Sequence, residues 1–76
     1  MRVISKDRLQ ALRERFKPGT RVELVRMDDV QAPPIGTRGI VIGVDDIGSI
    51  MVHWDNGSGL SVAYGEDECK VVADHD

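Results

Sequence analysis

The sequence predicts a mainly β fold: a small five-stranded closed barrel or sandwich preceded by one α-helix. Three observations carry that reading. Apolar side chains repeat at helical spacing up to Phe16, and from Gly19 onward the repeat becomes two. Short apolar runs then alternate with clusters of Gly, Pro, Asp and Asn, the residues that turn a chain. At 76 residues the chain makes one domain, 1–76. A chain this short buries only about 60% of its unfolded surface, so little core is left to enclose a deep substrate cleft.

The helix is expected over 5–17. Ser5 is a good N-cap, and Ile4 before it is placed to staple onto Leu9. Asp7 in the first turn and Arg13, Arg15 and Lys17 in the last match the macrodipole, and Pro18-Gly19 stops the helix. Leu9, Leu12 and Phe16 form one narrow apolar stripe. At about 100° per residue, Arg8 and Arg15 flank one side of the stripe and Lys6, Arg13 and Lys17 the other. Asp7, Gln10 and Glu14 point away.

Five strands are expected over 19–72. "TRVELV" alternates, with Val22 and Leu24 on one face. "TRGIVIGVDD" is apolar at Ile40, Val41, Ile42 and Val44, which reads as a strand covered on much of both faces. "SIMVHW" sets Ile50, Val52 and Trp54 against Met51 and His53, and "GLSVAY" places Leu60, Val62 and Tyr64 together. "CKVV" is the last strand, and the tail 73–76 is expected to fray. The connection "RMDDVQAPPIG" contains Pro33-Pro34 and cannot be a central strand.

"HWDNGSG", His53 to Gly59, has the residue types of a catalytic group, but turn chemistry explains them. A two-residue Asn56-Gly57 turn would mix apolar and polar residues on both faces. A three-residue loop, Asp55-Asn56-Gly57 closed by Trp54 and Ser58, pairs Ile50 with Val62 and Val52 with Leu60, so one face is wholly apolar. Gly57 then supplies the left-handed residue. His53 faces outward, opposite Gly59.

Other candidates for chemistry are no stronger. Asp28-Asp29 and Asp45-Asp46 lack the spacing of a calcium loop, and "APPIGTRG" has no phosphate-loop lysine. Cys69, the single cysteine, cannot form an internal disulfide and reads as a buried small hydrophobe. It points to a reducing, cytoplasmic setting. No signal-type h-region and no long apolar run are present, so neither export nor membrane insertion is expected. No metal, cofactor, small-molecule substrate or catalytic residue is expected.

The net charge of −3 hides an asymmetry. Residues 1–27 carry eight Lys/Arg against Asp7, Glu14 and Glu23, whereas 28–76 carry Arg38 and Lys70 against ten carboxylates. A basic arm on an acidic body either docks on that body or contacts nucleic acid.

Pro18-Gly19 with Val22 and Leu24, then Pro34, Gly36, Gly39 and Val41, then Val52-His53-Trp54-Asp55-Asn56-Gly57 form a recognisable set. Over Pro18 to Val72 the chain resembles a bacterial family of small SH3-like barrels, domain-of-unknown-function family 4314, in which a preceding helix is common. The resemblance implies an SH3-like barrel and a bacterial origin, often on phages or mobile elements. It implies no activity. A more distant likeness, through Gly36-x-x-Gly39-x-Val41, is to KOW-type barrels, which contact RNA or nucleoprotein through basic loops. Here the loops carry Asp28, Asp29, Asp45, Asp46, Glu66, Asp67 and Glu68, which would repel phosphate.

The leading expectation is therefore a non-catalytic binding module acting through protein–protein contact. Its partner would have a basic face, met by Asp28, Asp29, Asp45, Asp46, Glu66 and Asp67. The alternative is a nucleic-acid-associated module using Lys6, Arg8, Arg13, Arg15 and Lys17, with Arg2 in support. A second alternative is an acidic inhibitor that mimics a phosphate surface.

Overall fold

The computed structural model describes residues 3–73. Helix α1 spans Lys6–Arg15, and four strands follow: β1 (Arg21–Arg26), β2 (Arg38–Val44), β3 (Ile50–Trp54) and β4 (Glu68–Val71). They form one antiparallel sheet in the order β3-β2-β1-β4. Arg2 and most of the tail expected to fray, 74–76, lie outside the described residues.

Ser5 caps α1 as its residue type suggests: its hydroxyl accepts the Arg8 N–H at 3.2 Å. The helix ends two residues before the expected Lys17. Phe16 leaves helical geometry with φ −112° and ψ 63°, while its N–H still donates to the Leu12 carbonyl. Pro18 disfavours helical backbone at Lys17, which accounts for the loss of that residue from the helix.

Nine buried residues form the core: Phe16, Val22, Leu24, Val41, Ile50, Val52, Trp54, Val62 and Cys69. Val22 and Leu24 come from the inward face of β1, and Ile50, Val52 and Trp54 from that of β3, as the alternation predicts. Phe16 joins this core from the end of α1, with Leu12 packed against it and half-buried. Leu9 is half-buried at the edge of the helix. Ile4 rests near Gly48, where an added Cβ would stand 3.0 Å from its Cδ1.

Two expectations are corrected. The second strand is covered on one face only, since Ile40 and Ile42 are 46% and 59% exposed. The helix packs at the core side and leaves the outer face of the sheet to solvent. The five-stranded closed barrel is also not formed as such: the described residues give four strands in an open sheet. "GLSVAY" contributes a single bridge, Ile50 with Val62. Its register is the expected one, but the Leu60 carbonyl accepts from the Trp54 indole Nε1 at 2.8 Å. That carbonyl is the group a Val52–Leu60 pair would need, so the buried indole satisfies its N–H at the expense of a ladder bond.

Candidate functional site

Two hairpin loops organise the charged surface. In the loop after β3, the Trp54 N–H donates to the Ser58 carbonyl at 3.0 Å and the Gly57 N–H to the Trp54 carbonyl at 2.9 Å. Gly57 has φ +91°, and Asn56 Oδ1 accepts the Ser58 N–H. This is the three-residue loop that the apolar pattern requires. His53 is exposed on the outer face, so "HWDNGSG" forms a turn with no convergence of His53 on a nucleophile.

The β2–β3 loop has the same form. The Asp45 N–H donates to the Ser49 carbonyl, the Gly48 N–H donates to the Asp45 carbonyl, and Gly48 has φ +85°. Asp45 Oδ1 accepts the N–H groups of Ile47 and Ser49, at 3.2 and 2.8 Å. Both loops share Asp-x-Gly-Ser, at 46–49 and 55–58.

The leading aspartate of each loop holds an arginine from the first third of the chain. Arg13 Nη2 donates to Asp46 Oδ1 at 2.8 Å, and its Nε donates to the Val44 carbonyl. Arg21 meets Asp55 through two parallel bonds, Nη1 to Oδ1 at 2.8 Å and Nη2 to Oδ2 at 2.5 Å. The Arg21 hydrogen bonds hold the Asp55 carboxyl below its ordinary value, with desolvation opposing them and the Arg21 charge adding to the fall. Beside this pair, Glu23 receives Arg38 at 3.3 Å and Lys70 at 3.5 Å, its neighbours on β2 and β4. Sequence reasoning found neither arrangement, because both depend on strand register.

The acids expected to face a partner thus divide. Asp45 and Asp67 brace backbone, the latter by accepting the Ala63 N–H at 2.9 Å, and Asp46 pairs with Arg13. Asp29 Oδ1 accepts the Gln31 N–H at 2.7 Å in the 27–37 loop. Asp28 and Glu66 are exposed. Of the basic helix residues, Arg13 is committed to the body and Arg15 lies over the Phe16 ring at 5.7 Å. Lys6, Arg8 and Lys17 are exposed and make no ion pair among the described residues.

A groove missed by sequence reasoning opens where α1 meets the 62–69 segment. Leu12 and Phe16 form one wall; Ile50, Val62 and Tyr64 form the floor and opposite wall; Asp67 and Glu68 stand at the rim. Its volume is about 160 Å³. A shallower depression of about 200 Å³ shares Leu12 and Tyr64 with it and is flanked by Arg8 and Arg15. Cys69 lines the groove, and burial pushes its thiol up to about 11, Glu68 adding to the rise and Arg15 opposing it. At neutral pH the thiol stays protonated, which suits a packed side chain and not a nucleophile. Among the described residues no cluster of three or more His, Cys, Asp or Glu is spaced to hold a metal ion.

The family model for a domain of unknown function, DUF4314, matches residues 5–72. The chain belongs to that family. The DUF4314 match runs from the Ser5 cap of α1 to Val72, whose N–H closes on the Arg21 carbonyl at 2.9 Å just past β4. The helix and the sheet are therefore both parts of the DUF4314 unit. No curated protein and no solved structure matches the chain. No helix of the described residues is long and apolar enough to cross a membrane.

Proposed function

We propose that this chain is a non-catalytic binding module that works by protein–protein contact, on a partner with a basic face. The observation that carries the reading is the open apolar groove between α1 and the 62–69 segment, with Asp67 and Glu68 at its rim. Such a groove accepts an apolar anchor, and its acidic edge steers a cationic partner. Chemistry finds less to work with: His53 is exposed and apart, and the Cys69 thiol is protonated.

The fold reading extends to an SH3-like barrel in which the Val62 segment is a minimal fifth strand. The order β3-β2-β1-β4, with Val62 bridged to the free edge of β3, supports it. The inhibitor reading gains no support from the surface, because Asp45, Asp46, Asp55 and Asp67 are committed to bonds within the fold.

One observation favours nucleic-acid association as a second reading. Lys6, Arg13 and Lys17 line, together with Glu14, a single open depression of about 410 Å³ along the other flank of α1. Arg13 is already held by Asp46, which leaves two lysines and places this reading second.

The test is a capture experiment with the immobilised full chain and bacterial lysate, read by proteomics, beside a variant with Asp28, Asp29 and Glu66 reversed to Lys. The expected result is a protein whose retention weakens with salt and is lost on the variant. Retention of nucleic acid in place of protein would contradict it.

A further inference from the structure

The groove and the depression beside it together have a charge order that a ligand would have to match. Drug-sized ligands and cofactors occupy pockets of about 300–1,000 Å³. The groove holds about 160 Å³, well below that range. That space suits one aliphatic side chain. Its walls include Leu12, Val62 and Tyr64, with Asp67 and Glu68 at the rim.

The charges fall in two groups that share Leu12 and Tyr64, one lining this slot and the other the depression beside it. In the first is Glu68, exposed, next to Asp67, whose carboxylate is fixed by the Ala63 N–H. In the second are the exposed Arg8 and Arg15 of α1. A segment carrying only cations would be attracted at Glu68 and repelled at Arg8, and a segment carrying only anions the reverse. An apolar residue with a basic neighbour on one side and an acidic neighbour on the other is complementary to both.

We propose that this groove is a peptide site: it takes one apolar side chain of a partner protein, with a basic flanking residue toward Asp67 and Glu68 and an acidic one toward Arg8 and Arg15. The proposal rests on the binding-module reading and names its contact site and the pattern it recognises. The partner meets this site through a short charged segment, in addition to any broader basic face.

The experiment is an NMR titration of the ¹⁵N-labelled full chain at low salt with two peptides, acetyl-Gly-Lys-Leu-Glu-Gly-amide and acetyl-Gly-Glu-Leu-Lys-Gly-amide. The expected result is that one order binds at least tenfold more tightly than the other, with amide shifts centred on 62–69 and the C-terminal half of α1. Replacing the peptide leucine by glycine should weaken that binding at least tenfold. The double variant Arg8→Glu/Glu68→Lys, altered only at exposed positions, should bind the opposite order more tightly. Ala63→Phe, which fills the groove, should lose the shifts while Trp54 fluorescence reports an intact core. Equal affinity for both orders, no dependence on the leucine, shifts centred elsewhere or no saturable shift would each overturn the proposal. A protein captured by the chain and lost on reversal of Asp28, Asp29 and Glu66 would leave the broader reading standing in any of those cases.

Discussion

A Cβ added to Gly39 would lie 2.7 Å from the His53 carbonyl oxygen, 2.7 Å from Val52 Cγ1 and 2.9 Å from Trp54 Cε3. Two of those neighbours belong to buried residues and the third is backbone, so β3 would have to move away from β2. Gly39→Ala should therefore cost about 1–3 kcal/mol in urea unfolding, the usual range for overpacking. Gly57 shows the other use of glycine: the space around it is open, and only its φ of +91° excludes side chains. Gly57→Ala should cost on the order of 1 kcal/mol, and an unchanged midpoint would contradict the left-handed turn. Asp55 in the same loop gives a pH prediction. Its folded value is held below the ordinary 3.8 by Arg21, so its contribution to stability is complete above the unfolded value. That contribution is lost as pH falls through the folded value. A carboxyl ¹³C titration should place the Asp55 midpoint under 3.8 and return it toward 3.8 in Arg21→Gln; a wild-type midpoint at or above 3.8 would contradict the pairing. Gly57 could be read from sequence because a turn is local. The Arg21–Asp55 pair could not, since it spans 34 positions and exists only once β1, β2 and β3 are in register.

At the scale of elements, α1 is attached by few groups: Phe16 in the core, Leu12 against it, and Arg13 on Asp46 and the Val44 carbonyl. No residue within α1 itself is buried. Phe16→Ala should accordingly cost about 3 kcal/mol, the value for emptying a buried aromatic site. It should also speed amide exchange in Lys6–Arg15 more than in β2; equal acceleration in both would show that the helix does not depend on that anchor. The capping residue, the apolar stripe and the Pro-Gly stop made this helix legible, because each acts within a few residues. β1 and β3 were legible from alternation, and the short last strand, expected at 69–72, forms one residue earlier as Glu68–Val71. The fifth strand was not, since its pattern is sound and the competing bond, the Trp54 indole to the Leu60 carbonyl, has no signature in the sequence. Ile40 and Ile42 misled in the opposite direction. Apolar periodicity shows that a strand forms, but it does not show whether a second layer covers its outer face. The Asp-x-Gly-Ser at 46–49 held a readable signal, the same as at 55–58, that predicts the β2–β3 loop.

Across the whole molecule, the charge imbalance between the basic first third and the acidic remainder is partly resolved within the fold. Arg13 on Asp46 and Arg21 on Asp55 each join an N-terminal cation to the lead residue of a hairpin loop. The outward charges include an acidic edge at the groove, Asp28 on the long loop, Glu66, and the scattered cations Lys6, Arg8, Arg15, Lys17 and Arg26. The groove could not be read from sequence because Leu12, Val62 and Tyr64 come together only through packing of α1 on the core. The asymmetry could, but not which charges the fold would neutralise. We propose that the surface left over serves contact with protein and not with nucleic acid. That reading is tested most directly by an anisotropy titration of labelled duplex DNA and single-stranded RNA with the full chain, at low and at physiological salt. Phosphate binding driven by a handful of cations falls steeply with salt, and no saturable binding is expected at micromolar protein in physiological salt. Micromolar, salt-sensitive binding that disappears on charge reversal of Arg8, Arg15 and Lys17 would contradict it.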